Sequence, residues 1–366
     1  MARHNPANER IKREYFRFLA EAKGRDGATI DRVAASLARF EDSTSRKDFK
    51  RFHREQAMAF KRRMAEAVNA RSGEKLSKST VQSALRDLKA FFEWLAREPG
   101  YRSKIALSDA DYFNLNDKDA GIARARREKP VPSLEQVEAV LAAMPDNKAL
   151  ERRDRALVAF AAITGARVDA LRTFRLSHID LAGGFVEQDA RVVATKFAKT
   201  FRTYFMPLSE QALEILREWC GELREDHLWG PSDPLFPATA MGLDGKGAFQ
   251  PIGLARHGWA STGPIRDVFR RAFEAAGLPY FNPHSFRDIL VRHAMRLNLG
   301  PEQMKAWSQN LGHGDVLTTF TSYGQVPVHR QGELIRAQQS LGGVSDNSDP
   351  IAALEAVLAD LKGKTA

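Results

Sequence analysis

The sequence holds one cysteine, Cys220, in 366 residues. An internal disulfide and a cysteine-built zinc cage are both excluded. Its nine histidines offer no H-x₃-H pair, the kind of short spacing at which helical imidazoles share a metal. Long apolar runs are missing too. No stretch approaches the roughly 18 residues that a membrane-spanning helix needs. The opening stretch, MARHNPANERIKREYF, is polar and charged and lacks the apolar core of a signal peptide. These absences lead to the expectation of a cytoplasmic protein without membrane contact. Internal repeats and low-complexity segments are absent as well. What is there is ordinary globular composition, 43% hydrophobic and 28% charged, in a chain long enough for two domains.

Acidic residues fall short at one end only. Residues 1–130 carry 30 Lys+Arg against 19 Asp+Glu, whereas residues 131–366 carry 26 against 27. The whole formal excess of +10 therefore sits in the first part of the chain. Such a bias suits a polyanionic partner, most simply DNA or RNA. A solvated basic surface kept for solubility is the plainer reading of the same charge.

The expected fold class is mainly α with a small antiparallel β-sheet. Residues 1–27 read as a flexible segment, 28–127 as a helical domain, 128–342 as a mixed domain and 343–366 as a tail helix. In STVQSALRDLKAFFEWLA, Ser79 and Gln82 match a capping box. Val81, Ala84, Leu85, Leu88, Phe91, Phe92 and Leu95 recur there at helical spacing. The earlier RKDFKRFHREQAMAFKRRMAEAV reads as one more basic helix. A charged connector ends in RARREKPVPS, where Pro130 and Pro132 disfavour helix. Ser133 and Gln136 then open a helix in SLEQVEAVLAAM, and Gly165 ends the apolar helix that follows. Residues 184–208, GFVEQDARVVATKFAKTFRTYFMPL, are rich in Val, Phe, Thr and Tyr and predict the sheet; if Phe197 and Phe205 belong to paired strands, AKT sits at or near the turn. Helices are expected at 209–219, 263–276, 284–298 and 301–310, with a Gly- and Pro-rich loop region over 231–262. Asp349 and Pro350 open the tail helix, whose Ile351, Leu354, Val357, Leu358 and Leu361 form one apolar stripe.

One set of residues in the second domain carries chemistry. ITGARVDAL places Arg167 just after a glycine break. The sheet region offers Lys196 and Lys199. PHSFRDIL sets His284 and Arg287 three apart, on one helix face. LGHGDVLTTFTSYG adds His313 and then Tyr323. A phenol with a pKa of roughly 10 attacks nothing at neutral pH unless cations and a proton acceptor surround it. Singly, each residue has a plain alternative. Arg167 suits a surface ion pair, His284 a helix cap, Arg287 a partner of Asp288, His313 a glycine-flanked turn, and Tyr323 a packed aromatic. Tyr204, Tyr280 and His293 read as structural.

Taken in order, the set resembles the tyrosine recombinase, or phage integrase, family. Catalytic domains of that family carry an Arg after a TG-x-R turn, a Lys on a β-hairpin, an H-x-x-R pair, an LGH motif and a Tyr shortly after it. The resemblance is strong over residues 130–340. The basic helical region before it is similar to the family's core-binding domain in character. Three supporting positions depart from the pattern: Ala170 stands where a Glu is frequent, and Phe286 and Asp288 flank Arg287.

The resemblance implies a site-specific DNA recombinase whose two domains clamp duplex DNA. It implies a 3′-phosphotyrosyl intermediate on Tyr323, a Holliday junction, and a homotetramer on two double-stranded recombination sites. Attack on a phosphodiester builds charge on two non-bridging oxygens, which forked guanidiniums hold well. Arg167 and Arg287 would fill that role. Lys199, at or near the hairpin turn, would protonate the departing 5′-oxygen, with Lys196 as its alternative. His284 and His313 would bond the phosphate or manage the tyrosine proton. No metal and no cofactor is needed. An accessory directionality factor, a nucleoid-associated location and a tail docked on its own domain or on a neighbouring protomer complete the expectation. About 27 residues precede the helical core, too few for a folded arm-binding domain. A type IB topoisomerase-like nicking and resealing enzyme, or a non-catalytic DNA-binding regulator, are the alternatives.

Overall fold

Residues 4–70, 72–125, 130–243, 247–297, 299–313, 331–333 and 336 are described by the structure, a computed structural model. They fall into two units, 1–127 and 128–366.

In the first unit Asn5 starts α1 (Pro6–Arg17), accepting from the N–H groups of Ala7 and Asn8, with Pro6 in the first turn. This corrects the expectation of a flexible segment over 1–27. Ile11, Tyr15 and Leu19 recur at i, i+4, i+8 and are buried. Tyr15 packs between Phe91 and Trp94, with ring centroids 5.0 and 4.9 Å away. Buried Asn8 donates to Glu41 Oε1 and to Lys47 O, both at 3.0 Å, and accepts from Phe49 N at 3.0 Å. The end of α1 is thus bonded into the core and cannot fray. A π-helical turn at Phe18–Ala22 leads to α2 (Gly27–Ser43).

The expected long basic helix is broken. A 3₁₀ turn at Phe49–Arg51 buries Phe49, extended Phe52 is also buried, and only then does α3 (Arg54–Glu66) begin. Next comes α4 (Lys78–Leu95), capped by Ser77 rather than Ser79, because Ser77 Oγ accepts from Thr80 N at 3.2 Å and Lys78 is already helical. Its apolar stripe is buried as expected. Phe92 stacks on Phe52 at 3.7 Å between centroids, and Phe40 meets Phe92 edge-on at 5.1 Å. A short helix, α5 (Asp117–Arg124), follows.

The second unit opens on α6 (Leu134–Ala143), with Ser133 and Gln136 in the expected reciprocal cap. The apolar helix α7 (Ala149–Thr164) ends at Gly165, whose φ of 59° is left-handed. One turn, α8 (Val168–Leu171), leads to the strands β1 (Ile179–Asp180), β2 (Phe185–Gln188) and β3 (Phe201–Tyr204), paired antiparallel in the order β1-β2-β3. Phe197 is not on a strand. It stands in a 3₁₀ turn at Lys196–Ala198 with φ 63°. The helix α9 (Glu210–Glu225) buries Leu216, Trp219 and Cys220, and burial pushes the Cys220 thiol up to about 12. This thiol packs as a hydrophobe.

The expected loop over 231–262 contains a hairpin instead, β4 (Pro237–Leu243) paired with β5 (Phe249–Gly258). Buried Arg153 on α7 donates to Pro237 O and Thr239 Oγ1, both at 3.0 Å, and lies 4.8 Å over the Trp259 ring. That anchors the base of the hairpin. Then come the helices α10 (Gly263–Ala275), α11 (Pro283–Ala294) and α12 (Pro301–Asn310). The architecture is therefore mainly helical with small antiparallel sheets. Among the described residues no helix is long and apolar enough to cross a membrane. Tyr323, Asp349, Pro350 and the expected tail helix lie outside the described residues.

Candidate active site

The site is built where α7, α11 and α12 end or begin beside β3. Gly165 turns the chain at the end of α7 and presents half-buried Arg167 at the start of α8. The turn has no room for a side chain: a Cβ on Gly165 would stand 2.7 Å from Leu290 Cδ1. Its carbonyl accepts from Arg287 Nη1 at 2.9 Å, and Arg287 Nη2 donates to Leu311 O. Arg287, only 2% exposed, thus ties the first arginine's turn to the LGH turn. One turn earlier on α11, Asn282 caps the helix by accepting from His284 N at 3.0 Å. The His284 ring is solvent-facing, with Nε2 3.9 Å from Asp288 Oδ1.

Beyond α12, Leu311 packs with Met206, Leu290 and Val291. Gly312 then takes φ 66°, and a Cβ there would run into the Phe201 ring. His313 follows, 8% exposed, its N–H donating to Ser308 O at 3.1 Å. Exposed Lys199 lies two residues before β3 and shares a cleft of about 590 Å³ with His313, Tyr204 and Asn310. Lys196 holds its Nζ 4.8 Å over the Phe197 ring.

The electrostatics bring these groups together. Burial, and then the charges of Arg287, Arg167, His284 and Lys199, hold the His313 imidazole far below its ordinary 6.5, at about 3. Five sequence-expected residues thus lie near enough for the charges of four to act on His313. The sixth, Tyr323, lies outside the described residues. A buried imidazole with cations nearby resists protonation. An anion placed among the same cations would relieve their repulsion and let His313 protonate more readily.

The sign of the pH effect follows. Between pH 6.5 and 3 the unfolded chain binds a proton that folded His313 rejects. This group's stabilisation is therefore present above 6.5 and is lost as pH falls towards 3. Thermal unfolding followed from about pH 7 to about pH 4 should show a shallower loss of stability in His313→Gln than in the native chain. Equal slopes would mean that His313 is not held neutral.

The sequence profile of the phage integrase family matches residues 133–329. The chain belongs to the phage integrase family. Its members are tyrosine-type site-specific recombinases. Among curated relatives, the tyrosine recombinase XerC of Xylella fastidiosa is 24% identical over 317 residues, 85% of this chain and 90% of the relative. The tyrosine recombinase XerD of Pseudomonas aeruginosa is 30% identical over 195 residues, 52% of this chain and 57% of the relative. Among solved structures, a lambda integrase dimer bound to a core site matches with a TM-score of 0.57 at 12% identity, over 86% of this chain and 97% of that one. A lambda integrase tetramer bound to a Holliday junction matches with a TM-score of 0.53 at 16% identity, over 89% of this chain and 84% of that one.

Two of the three departures from the family pattern have a packing reason. Ala170 and Phe286 are each 1% exposed in the second unit's core, where Phe286 meets Phe269 edge-on at 5.1 Å. Of the residues read as structural, His293 stacks on Trp307 at 6.2 Å and Tyr280 lies under Arg270 at 5.5 Å. Asn310 carries no sequence motif, yet it bridges α12 to β3. Its one signal is a polar amide directly before Leu311-Gly312-His313, where the helix meets an edge strand.

Proposed function

We propose that this recombinase cuts and rejoins duplex DNA through a covalent bond between Tyr323 and a 3′-phosphate. What carries the reading is the gathering of Arg167, Arg287, His284 and Lys199 around His313. The Tyr323 oxygen attacks phosphorus and the bond to the 5′-oxygen breaks. Arg167 and Arg287 stabilise the charge that builds on the non-bridging oxygens, with donors that stay charged at any working pH. Lys199 gives its proton to the departing 5′-oxygen. It is preferred to Lys196 because its charge reaches His313 and it shares the cleft with that residue. The phenolic proton passes to a base, a role His313 can take once the negative charge of the phosphate offsets the cations that keep it neutral. His284, exposed on the same face of α11 as Arg287, supplies a further hydrogen bond to phosphate. The ester bond to tyrosine conserves the phosphodiester's energy, so a 5′-hydroxyl from a partner strand can reverse the step and reseal.

The basic excess of residues 1–130 suits a role for the first unit on the DNA backbone. Exchange between two sites calls for four protomers and a Holliday junction, and the lambda relative in that state supports this assembly. An accessory directionality factor and action on the nucleoid in the cytoplasm belong to the same proposal.

Two DNA molecules bearing a site selected from random sequence by binding provide the test. Recombinant products joining the two are expected. Relaxation of each molecule without recombinants would favour the topoisomerase reading, and binding without any strand cleavage would favour a regulator.

A further inference from the structure

The Lys199 loop enters β3, which lies at the outer edge of its sheet. An edge strand exposes alternate N–H and C=O groups that pair with nothing in its own sheet. At Tyr204 both groups are taken by one side chain. Tyr204 N donates to Asn310 Oδ1 at 2.6 Å, and Asn310 Nδ2 donates to Tyr204 O at 2.9 Å. The amide of Asn310 therefore acts as a one-residue strand. Its own backbone joins in, since Asn310 O accepts from Thr203 Oγ1 at 2.9 Å, and Thr203 Oγ1 in turn accepts from Gln188 Nε2 of β2 at 2.8 Å.

The two sides of this clasp are held unequally. On the α12 side, Leu311 is fully buried, and its carbonyl accepts from Arg287. His313 is thus anchored without the clasp. On the β3 side, the strand has one neighbouring strand, and Lys199 precedes it on an exposed connection that includes left-handed Phe197 and Ala198. Loss of the clasp would therefore release the lysine side.

We infer that Asn310 is a positioning residue, whose paired hydrogen bonds to Tyr204 set Lys199 at the distance from the His313 turn that proton transfer requires. The inference rests on the reading of Lys199 as general acid. It asks nothing of Asn310 in substrate contact.

A substrate whose 5′-bridging oxygen at the cleaved phosphate is replaced by sulfur separates the possibilities. A thiolate leaves without a proton donor, so a defect confined to proton donation disappears with that substrate. Asn310→Ala should slow cleavage of ordinary DNA on the order of 10–100-fold and cleave the sulfur DNA within about threefold of the native rate. Lys199→Ala serves as the reference and should be rescued in the same way. Asn310→Asp keeps the side chain's size and the acceptor for Tyr204 N but loses the donor to Tyr204 O. It should show the same selective defect in a protein that still folds and binds DNA. Rescue of Lys199→Ala without rescue of either Asn310 variant would overturn the inference and leave Lys199 as the acid. Failure to rescue Lys199→Ala would overturn both.

Discussion

Tyr323→Phe should abolish the covalent protein–DNA complex while binding to the DNA site persists. The change removes one oxygen and keeps the ring, so it deletes the nucleophile and little else. The cationic groups around His313 remain in place. Water is no substitute, because the product of its attack would not be attached to protein. On a denaturing gel, the native chain trapped on a nicked site should give a slow band that the Phe variant lacks. A denaturant-resistant complex formed by Tyr323→Phe would remove Tyr323 from the mechanism.

The second large effect concerns the arginines, which should differ from each other. Arg167 is half-buried at the mouth of α8. Arg167→Ala should lower the single-turnover cleavage rate by about 10³–10⁵, the range for an arginine that stabilises a transferring phosphoryl group. Arg287 has a second task, because its buried guanidinium donates to the carbonyls of Gly165 and Leu311. Arg287→Ala should lose as much rate and also destabilise the fold. Each buried acceptor deprived of its donor costs about 1–3 kcal/mol. Thermal unfolding read beside cleavage kinetics separates the two roles. Arg167→Ala cleaving within about tenfold of native would contradict a direct role at the phosphate.

Much of the local structure that carries the candidate site was legible in the sequence, because it follows local rules. Gly165 marks a helix end since only glycine turns there at φ 59° against Leu290, and Arg167 follows from it. His284 and Arg287 lie one helical turn apart. The Ser133–Gln136 cap and the stripe on α4 follow from spacing in the same way. What escaped depends on tertiary partners. Ile11, Tyr15 and Leu19 form a stripe diluted by charges, and only the aromatic wall of Phe91 and Trp94 reveals why α1 is held. Ser77, Ser79 and Thr80 are adjacent hydroxyls with equal claims to cap α4, and Ser77 wins because Lys78 is already helical. The β4–β5 hairpin exposes Met241, Leu243, Phe249 and Ile252, so it lacks inside–outside alternation, and its register shifts twice. Glycine and proline then dominate its appearance. Asn310 escaped for a similar reason: its value lies in strand β3, which is 106 residues away in sequence.

We propose that the cations around His313 serve a covalent bond between DNA and Tyr323. The most direct test is to trap the native chain on its cleaved site, digest the adduct with protease and nuclease, and identify the modified peptide by mass spectrometry. The expected result is a single modified residue, Tyr323, joined to the 3′-phosphate of the cut strand. Attachment at any other residue, or a linkage to a 5′-phosphate, would contradict it.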